Sequence, residues 1–171
     1  MANSFYEMAK ERWSVRNYKD EQIKPEEMQK ILEAGNYAPS ACNYQPQRIL
    51  VLQSKEAIET VRALTHWAFN APTVLLICSD IRESWKNIDG ADSWETDAVI
   101  CTTQMMYAAW EQGIGSCWVR GIDSNAFARA FRIPDYLRIV AMMPMGYPSD
   151  NAKPSNWHWK RKQLDETVTF V

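Results

Sequence analysis

Two guanidiniums four residues apart with a hydroxyl between them, in Arg12-Trp13-Ser14-Val15-Arg16, are the first groups along the chain suited to chemistry. Each guanidinium offers a planar fork of donors, so the cluster can hold a phosphate through charge-assisted hydrogen bonds. A second basic group, Lys160-Arg161-Lys162, follows Trp157-His158-Trp159, whose rings could stack the bases of a single strand. Taken alone, either stretch is more often a solvated turn or tail. A third polar stretch, Ala38-Pro39-Ser40-Ala41-Cys42-Asn43-Tyr44-Gln45-Pro46, reads as a loop by its Pro, Ser and Asn content.

The remaining chemistry-bearing patterns are missing. No G-x-G-x-x-G follows a strand and no G-x-x-x-x-G-K-[ST] occurs, so neither a dinucleotide fingerprint nor a P-loop is present. The two histidines, His66 and His158, stand far from cysteines and paired acids, which leaves a metal site without local support. No G-x-S-x-G elbow is found, and Cys42, Cys78, Cys101 and Cys117 form no C-x-x-C pair. Hydrolase, zinc-ribbon and thioredoxin chemistry therefore have little to stand on.

The elements that must position the polar stretches are legible from periodicity. A short helix is expected from Ser4 to Glu11, ending at the first arginine cluster, and a second begins at Pro25-Glu26-Glu27 and carries Met28, Ile31, Leu32 and Gly35 on one stripe. The loop at 38–46 leads into a strand over Arg48 to Leu52, followed by a helix from Lys55 to Leu64 and an interior strand from Pro72 to Cys78. The long pattern from Trp94 to Gln112, rich in small residues, predicts a central helix that another helix can approach closely. Beyond Gly113 a strand is expected over Ile114 to Gly121, then a helix from Ser124, with Ser124 as its cap, to Phe131. A strand over Arg138 to Met145 and a β-like end, Thr167 to Val171, complete an α+β pattern. That end has no local strand to pair with, which suggests pairing across a dimer.

The chain has 171 residues, 46% hydrophobic and 23% charged, and no linker or repeat, so one domain over 1–171 is expected. The formal charge of −2 argues against a surface devoted to nucleic acid or to an anionic membrane. The 12% of aromatic residues suit an aromatic interface or a planar ligand as well as a large core. The start, Met1 to Glu7, has no basic then apolar leader pattern, and no apolar run is long enough to span a bilayer. With its scattered cysteines, the sequence reads as a reduced, cytoplasmic protein.

Read in order, these stretches resemble the FMN-dependent nitroreductase family along almost the whole chain. The resemblance rests on Arg12 to Tyr18, Ala38 to Pro46, Ala71-Pro72, Asp97-Ala98, Gly113-Ile114-Gly115-Ser116-Cys117-Trp118, Ile133-Pro134, Gly146-Tyr147-Pro148 and Arg161 to Glu166. It implies a nitroreductase-like fold, a central mixed or antiparallel sheet of four to five strands flanked by helices, in a homodimer that exchanges C-terminal strands. It further implies FMN at the interface, with Arg12, Trp13, Ser14, Arg16, Lys160 and Arg161 around its phosphate, ribityl chain and pyrimidine edge. Pro39, Ser40, Ala41, Asn43 and Gln45 would come from the partner chain, and Trp118, Val119, Arg120 and Gly121 would run along the isoalloxazine ring.

The activity so implied is hydride transfer from NADH or NADPH to flavin N5 and on to a nitroaromatic, quinone or other small planar acceptor. No side-chain catalyst and no metal are expected. The alternatives are a specialised relative, such as an enoate or dehalogenating reductase, and a non-catalytic FMN-binding protein. Two departures from the family stand out. Arg120 brings a cation to the expected flavin wall, and the connector over 80–93 is short, which predicts an open pocket with broad acceptance. Cys42 and Cys117 flank the same expected site and read as small buried hydrophobes without a redox role.

Overall fold

The computed structural model describes residues 4–171. Residues 1–3, part of the stretch read above for a leader, lie outside the described residues. In chain order the elements are α1 (Phe5–Glu11), α2 (Pro25–Asn36), β1 (Gln47–Leu52), α3 (Lys55–Leu64), β2 (Thr73–Asp80), α4 (Trp94–Glu111), β3 (Gly115–Ser116), α5 (Ser124–Ala130) and β4 (Leu137–Gly146). The four strands form one antiparallel sheet in the order β1-β2-β4-β3, so the fold is α+β, as read from the pattern.

All eight residues of β2 are buried, because the strand lies between β1 and β4 and is covered on both faces. Its alternation divides the core. Leu75 and Ile77, with Met143 and Met145 of β4, meet α2 and α4 through Met28, Ile31, Cys101 and Met105. Val74, Leu76 and Cys78, with Met142, face Ile58, Val61 and Phe127 of α3 and α5. The β2–β4 register slips between Ile77 and Cys78, which face Ala141 and Ile139. Val140, left between them, joins Ala141 in the cluster under α4, as a bulge allows. On that face Gly35 sets the approach of α2 to α4: a Cβ there would lie 2.6 Å from Met105 Cγ.

Caps fix the helix starts. Ser4 Oγ accepts from the Glu7 amide and Ser54 Oγ from the Ala57 amide, and Pro25 opens α2 with Glu26 and Glu27 in its first turn. In α5 the cap is Asp123, whose carboxylate accepts from the Ala126 amide, so the cap stands one residue before the expected Ser124.

Two strand expectations change. The strand expected over 114–121 is a ladder only at Gly115–Ser116. The Cys117 amide still donates to Pro144 O at 3.1 Å, but a proline has no N–H to return, and pairing resumes only where Val119 and Met142 exchange both bonds. The β-like end, Thr167 to Val171, forms no strand within the single chain, where Phe170 and Val171 are fully exposed. Strand β1, paired only with β2, is left as an open edge. Among the described residues no helix is long and apolar enough to cross a membrane.

Candidate functional site

The arginine arm leaves α1 at Arg12, whose extended backbone ends the helix while its amide still donates to Met8 O. Extended residues alternate sides. Val15 is fully buried, its amide donates to Ser116 O at 3.0 Å, and Ser14 bridges Ser116 in parallel. The Tyr18 hydroxyl, buried beneath, donates its one proton to Val15 O at 2.6 Å, shared with Pro144 O at 3.1 Å. Burial raises the Tyr18 phenol well above its ordinary value, so it stays a donor. This anchoring turns Arg12, Ser14 and Arg16 to one side, and Trp13 packs edge-on against Trp110 at 6.3 Å.

The C-terminal tail closes over that side. Arg12, Trp13, Ser14 and Arg16 line a cleft of about 200 Å³ together with Ser155, Trp157, His158 and Arg161. Among the described residues none of its three guanidiniums is ion-paired to a carboxylate. Among the described residues Arg12 Nη1 is buried without a hydrogen-bond partner, Arg16 Nη1 donates to Ser14 O, and Arg161 Nη1 turns back to the carbonyls of Trp157 and Lys160. A buried donor without an acceptor is costly, and an anion in this cleft could supply the missing acceptor. Cys117 borders it: burial pushes its thiol up, against the pull of Arg16, Ser14 and Arg12.

Lys160 does not line the cleft; its ammonium lies 4.6 Å above the Trp157 ring. Ser155 and His158 do line it, although the sequence reading gave them no role. The aromatic run before Arg161 was the available signal, and it was read for stacking rather than for closing a cleft.

The loop at 39–45 sits elsewhere in the chain, at the start of α4. Cys42 is exposed, not the buried hydrophobe expected, because it lies in a surface loop; Cys42, Asn43 and Gln45 have φ of 49°, 58° and 52°, a left-handed stretch that costs non-glycine residues roughly 1 kcal/mol or more each. Ser40 braces it from within, Oγ accepting from the Gln45 amide and the carbonyl from the Asn43 amide. The Ala41 amide donates to Asp97 Oδ1 at 3.0 Å, while Gln45 Nε2 donates to Asn43 O at 3.4 Å. Pro39 lines a different, apolar groove of about 540 Å³ with Phe5, Met8, Val99, Ile100 and Tyr107.

The segment from Ser116 to Gly121 joins the two regions. Ser116 carries the arm, Trp118 packs on the core, and Arg120 forms an ion pair with Glu95 in the first turn of α4. A Cβ at Gly121 would meet nothing within 4 Å, so the backbone there borders open space. The partner contacts of the loop and the arm both fall on α4, at Asp97 and at Trp110. Thirteen residues of helix, roughly 20 Å, separate those two points. One chain therefore brings the arm and the tail together but holds the loop apart from them.

Comparisons with known proteins show what the chain is similar to. The model of a family described as the nitroreductase family matches residues 9–69 and 59–147. The crystal structure of a nitroreductase family protein from Clostridium difficile 630 superposes with a TM-score of 0.91 at 34% identity, covering 98% of each chain. A protein of Archaeoglobus fulgidus, provisionally named NADH dehydrogenase/NAD(P)H nitroreductase, is 32% identical over 146 residues, 81% of this chain and 82% of its own. A structure titled FMN-dependent nitroreductase, from Clostridium difficile R20291, is 26% identical with a TM-score of 0.75 and covers 95% of this chain and 96% of its own.

Proposed function

The chain belongs to the nitroreductase family of oxidoreductases, and from that premise we propose that it is an FMN-dependent NAD(P)H oxidoreductase acting as a homodimer in the cytoplasm. The observation that carries this reading is the cleft in which Arg12, Ser14, Arg16 and Arg161 converge, with a buried Arg12 Nη1 that has no acceptor among the described residues. A phosphate dianion supplies the acceptors that these donors lack, and a guanidinium fork matches its oxygens. Arg12, Ser14, Arg16 and Arg161 would hold the phosphate end of FMN, with Trp13 beside them. Trp118, Val119, Arg120 and Gly121 would face its ring, and the backbone there, without a side chain at Gly121, leaves the close approach open.

When bound, FMN supplies the redox centre, taking a hydride from NADH or NADPH and giving the electrons to a small planar acceptor such as a nitroaromatic or a quinone. The protein's own work is to bind, orient and admit. Hydride transfer at the flavin requires no side-chain general base, and the donors named above would fix the ligand by charge and direction.

The second copy is supported by three features of the single chain. The loop carrying Pro39, Ser40, Ala41, Asn43 and Gln45 lies roughly 20 Å along α4 from the arm, so it would serve the partner's cofactor rather than its own. The apolar groove along α1 and α4 is an exposed patch of the kind that marks association. The exposed Thr167 to Val171 tail and the open edge of β1 would complete each other between copies as an exchanged strand.

The test is a titration of the flavin-free protein with FMN, followed by NADH or NADPH under anaerobic conditions. Binding with bleaching of the visible flavin band by a nicotinamide, and loss of binding by roughly ten- to a hundredfold in Arg12→Met, is expected. Wild-type protein that fails to bind FMN overturns the reading.

A further inference from the structure

Asp97 has both carboxylate oxygens engaged: Oδ1 accepts from the Ala41 amide at 3.0 Å and Oδ2 from Ser93 Oγ at 2.7 Å. The side chain is buried, with Asp97 3% exposed. An acid in the first turn of a helix ordinarily serves that helix's own free amides. This one reaches instead to a loop 56 residues away in sequence.

The loop needs such a tie. Cys42, Asn43 and Gln45 hold positive φ, a conformation non-glycine residues keep only when their surroundings enforce it. From Ser40 to Tyr44 the backbone bonds are internal, Asn43 to Ser40 and Tyr44 to Ala41. Among the described residues, Ala41–Asp97 is the hydrogen bond that ties the leading half of the loop to the packed body of the protein, while Gln45 O at its far end accepts from Arg48 Nη1 of β1 at 3.1 Å. Ser93 in turn fixes the rotamer of Asp97, its hydroxyl donating to the carboxylate instead of capping α4.

We propose that Asp97 is a positioning residue, whose carboxylate sets the left-handed Ser40–Gln45 loop and so presents Asn43 and the loop backbone to the flavin of the partner subunit. The proposal rests on the function given above. Asp97 touches no reacting atom; it acts through the loop, and Ser93 acts through Asp97. A hydrogen bond from a neutral amide to a carboxylate is among the stronger ties a loop can have, so its removal should be felt locally before it is felt globally.

The experiment compares wild type, Asp97→Ala, Asp97→Asn and Ser93→Ala by amide hydrogen exchange without ligand and by FMN titration. In the wild type the Ala41 amide is expected to be protected. In Asp97→Ala its exchange rises at least about tenfold while β2 amides stay protected, and the FMN dissociation constant rises roughly ten- to a hundredfold. Asp97→Asn keeps an oxygen for the Ala41 amide and is expected within about threefold of wild type in both readouts. A purely structural role would lower protection throughout the core and would not be rescued by Asn. An unprotected Ala41 amide in the wild type, or faster exchange in Asp97→Ala with unchanged FMN affinity, overturns the proposal. If Asp97→Ala does not fold, Ser93→Ala takes its place, with a smaller rise in Ala41 exchange expected and an unchanged rate counting against the idea. Wild type that binds no FMN overturns the cofactor reading instead, and the exchange data still decide whether Asp97 holds the loop.

Discussion

Val15 occupies the space that a side chain at Gly115 would need: a Cβ built there would lie 2.4 Å from Val15 Cγ2. The contact lets the arginine arm lie flat against β3, where the Val15 amide bonds Ser116 O. Gly115→Ala is therefore expected to destabilise the protein by about 1–3 kcal/mol through overpacking, and to weaken FMN binding by displacing Ser14 and Arg16. Denaturant unfolding measures the first effect and titration the second. The double variant Gly115→Ala with Val15→Ala should regain part of both losses, and additive losses would show that the two residues do not share this space.

Arg120 is held by Glu95, which lowers the cationic field expected at the flavin wall from the sequence alone. The pair is well exposed, so Glu95→Gln should change stability by no more than about 1 kcal/mol. Freeing the guanidinium should lower KM for an anionic acceptor relative to a neutral one, by roughly two- to fivefold at low ionic strength, with the difference fading as salt screens it. Acceptor kinetics that are identical across the charge series would remove Arg120 from acceptor recognition.

Cysteine reactivity should divide sharply. Cys42 is exposed, while burial pushes the thiols of Cys78 and Cys101 up to about 12 and about 11 and raises that of Cys117. At pH 8 a disulfide reagent should titrate Cys42 first and the other three only on unfolding, because the thiolate is the reactive form. FMN should slow the Cys42 reaction if its loop faces the ligand.

The Asp80 carboxyl is held at about 2, below its ordinary 3.8, foremost by the hydrogen bonds of the Arg82 side chain, against the opposing effect of burial. A carboxyl whose folded value is depressed stabilises the fold above its unfolded value, and that contribution is lost as pH falls from 3.8 towards about 2. Arg82→Met should therefore be less stable than wild type at pH 6, with the difference shrinking through this acid range. Thermal unfolding followed from pH 6 to 2 checks it; a constant difference would place the effect in packing on Tyr136, whose ring lies 3.4 Å from the guanidinium.

Much of this molecule is legible in its residues because the determinants are local. Ser54 and the apolar spacing after it mark α3, Pro25 with two acids opens α2, and the unbroken apolar run of β2 marks an interior strand. The arm and the tail arginine were also visible, since a guanidinium cluster poor in acids has a recognisable composition. The interrupted strand after Ser116 was not read, although Pro144 was in view, because the missing N–H matters only once β4 is known to lie opposite Cys117.

The sequence by itself determined the helices, the buried strands and which residue types could grip an anion, since these follow from spacing, caps and charge along the chain. Only the tertiary structure decided that Ser155, His158 and Arg161 close on Arg12 while Lys160 turns to Trp157, that Glu95 holds Arg120, and that Asp97 holds Ala41. Apart from the local Lys160–Trp157 contact, those pairings join residues whose separation along the chain carries no periodic signal, and only packing α4 on the sheet and bringing the tail to the arm puts them within reach of one another.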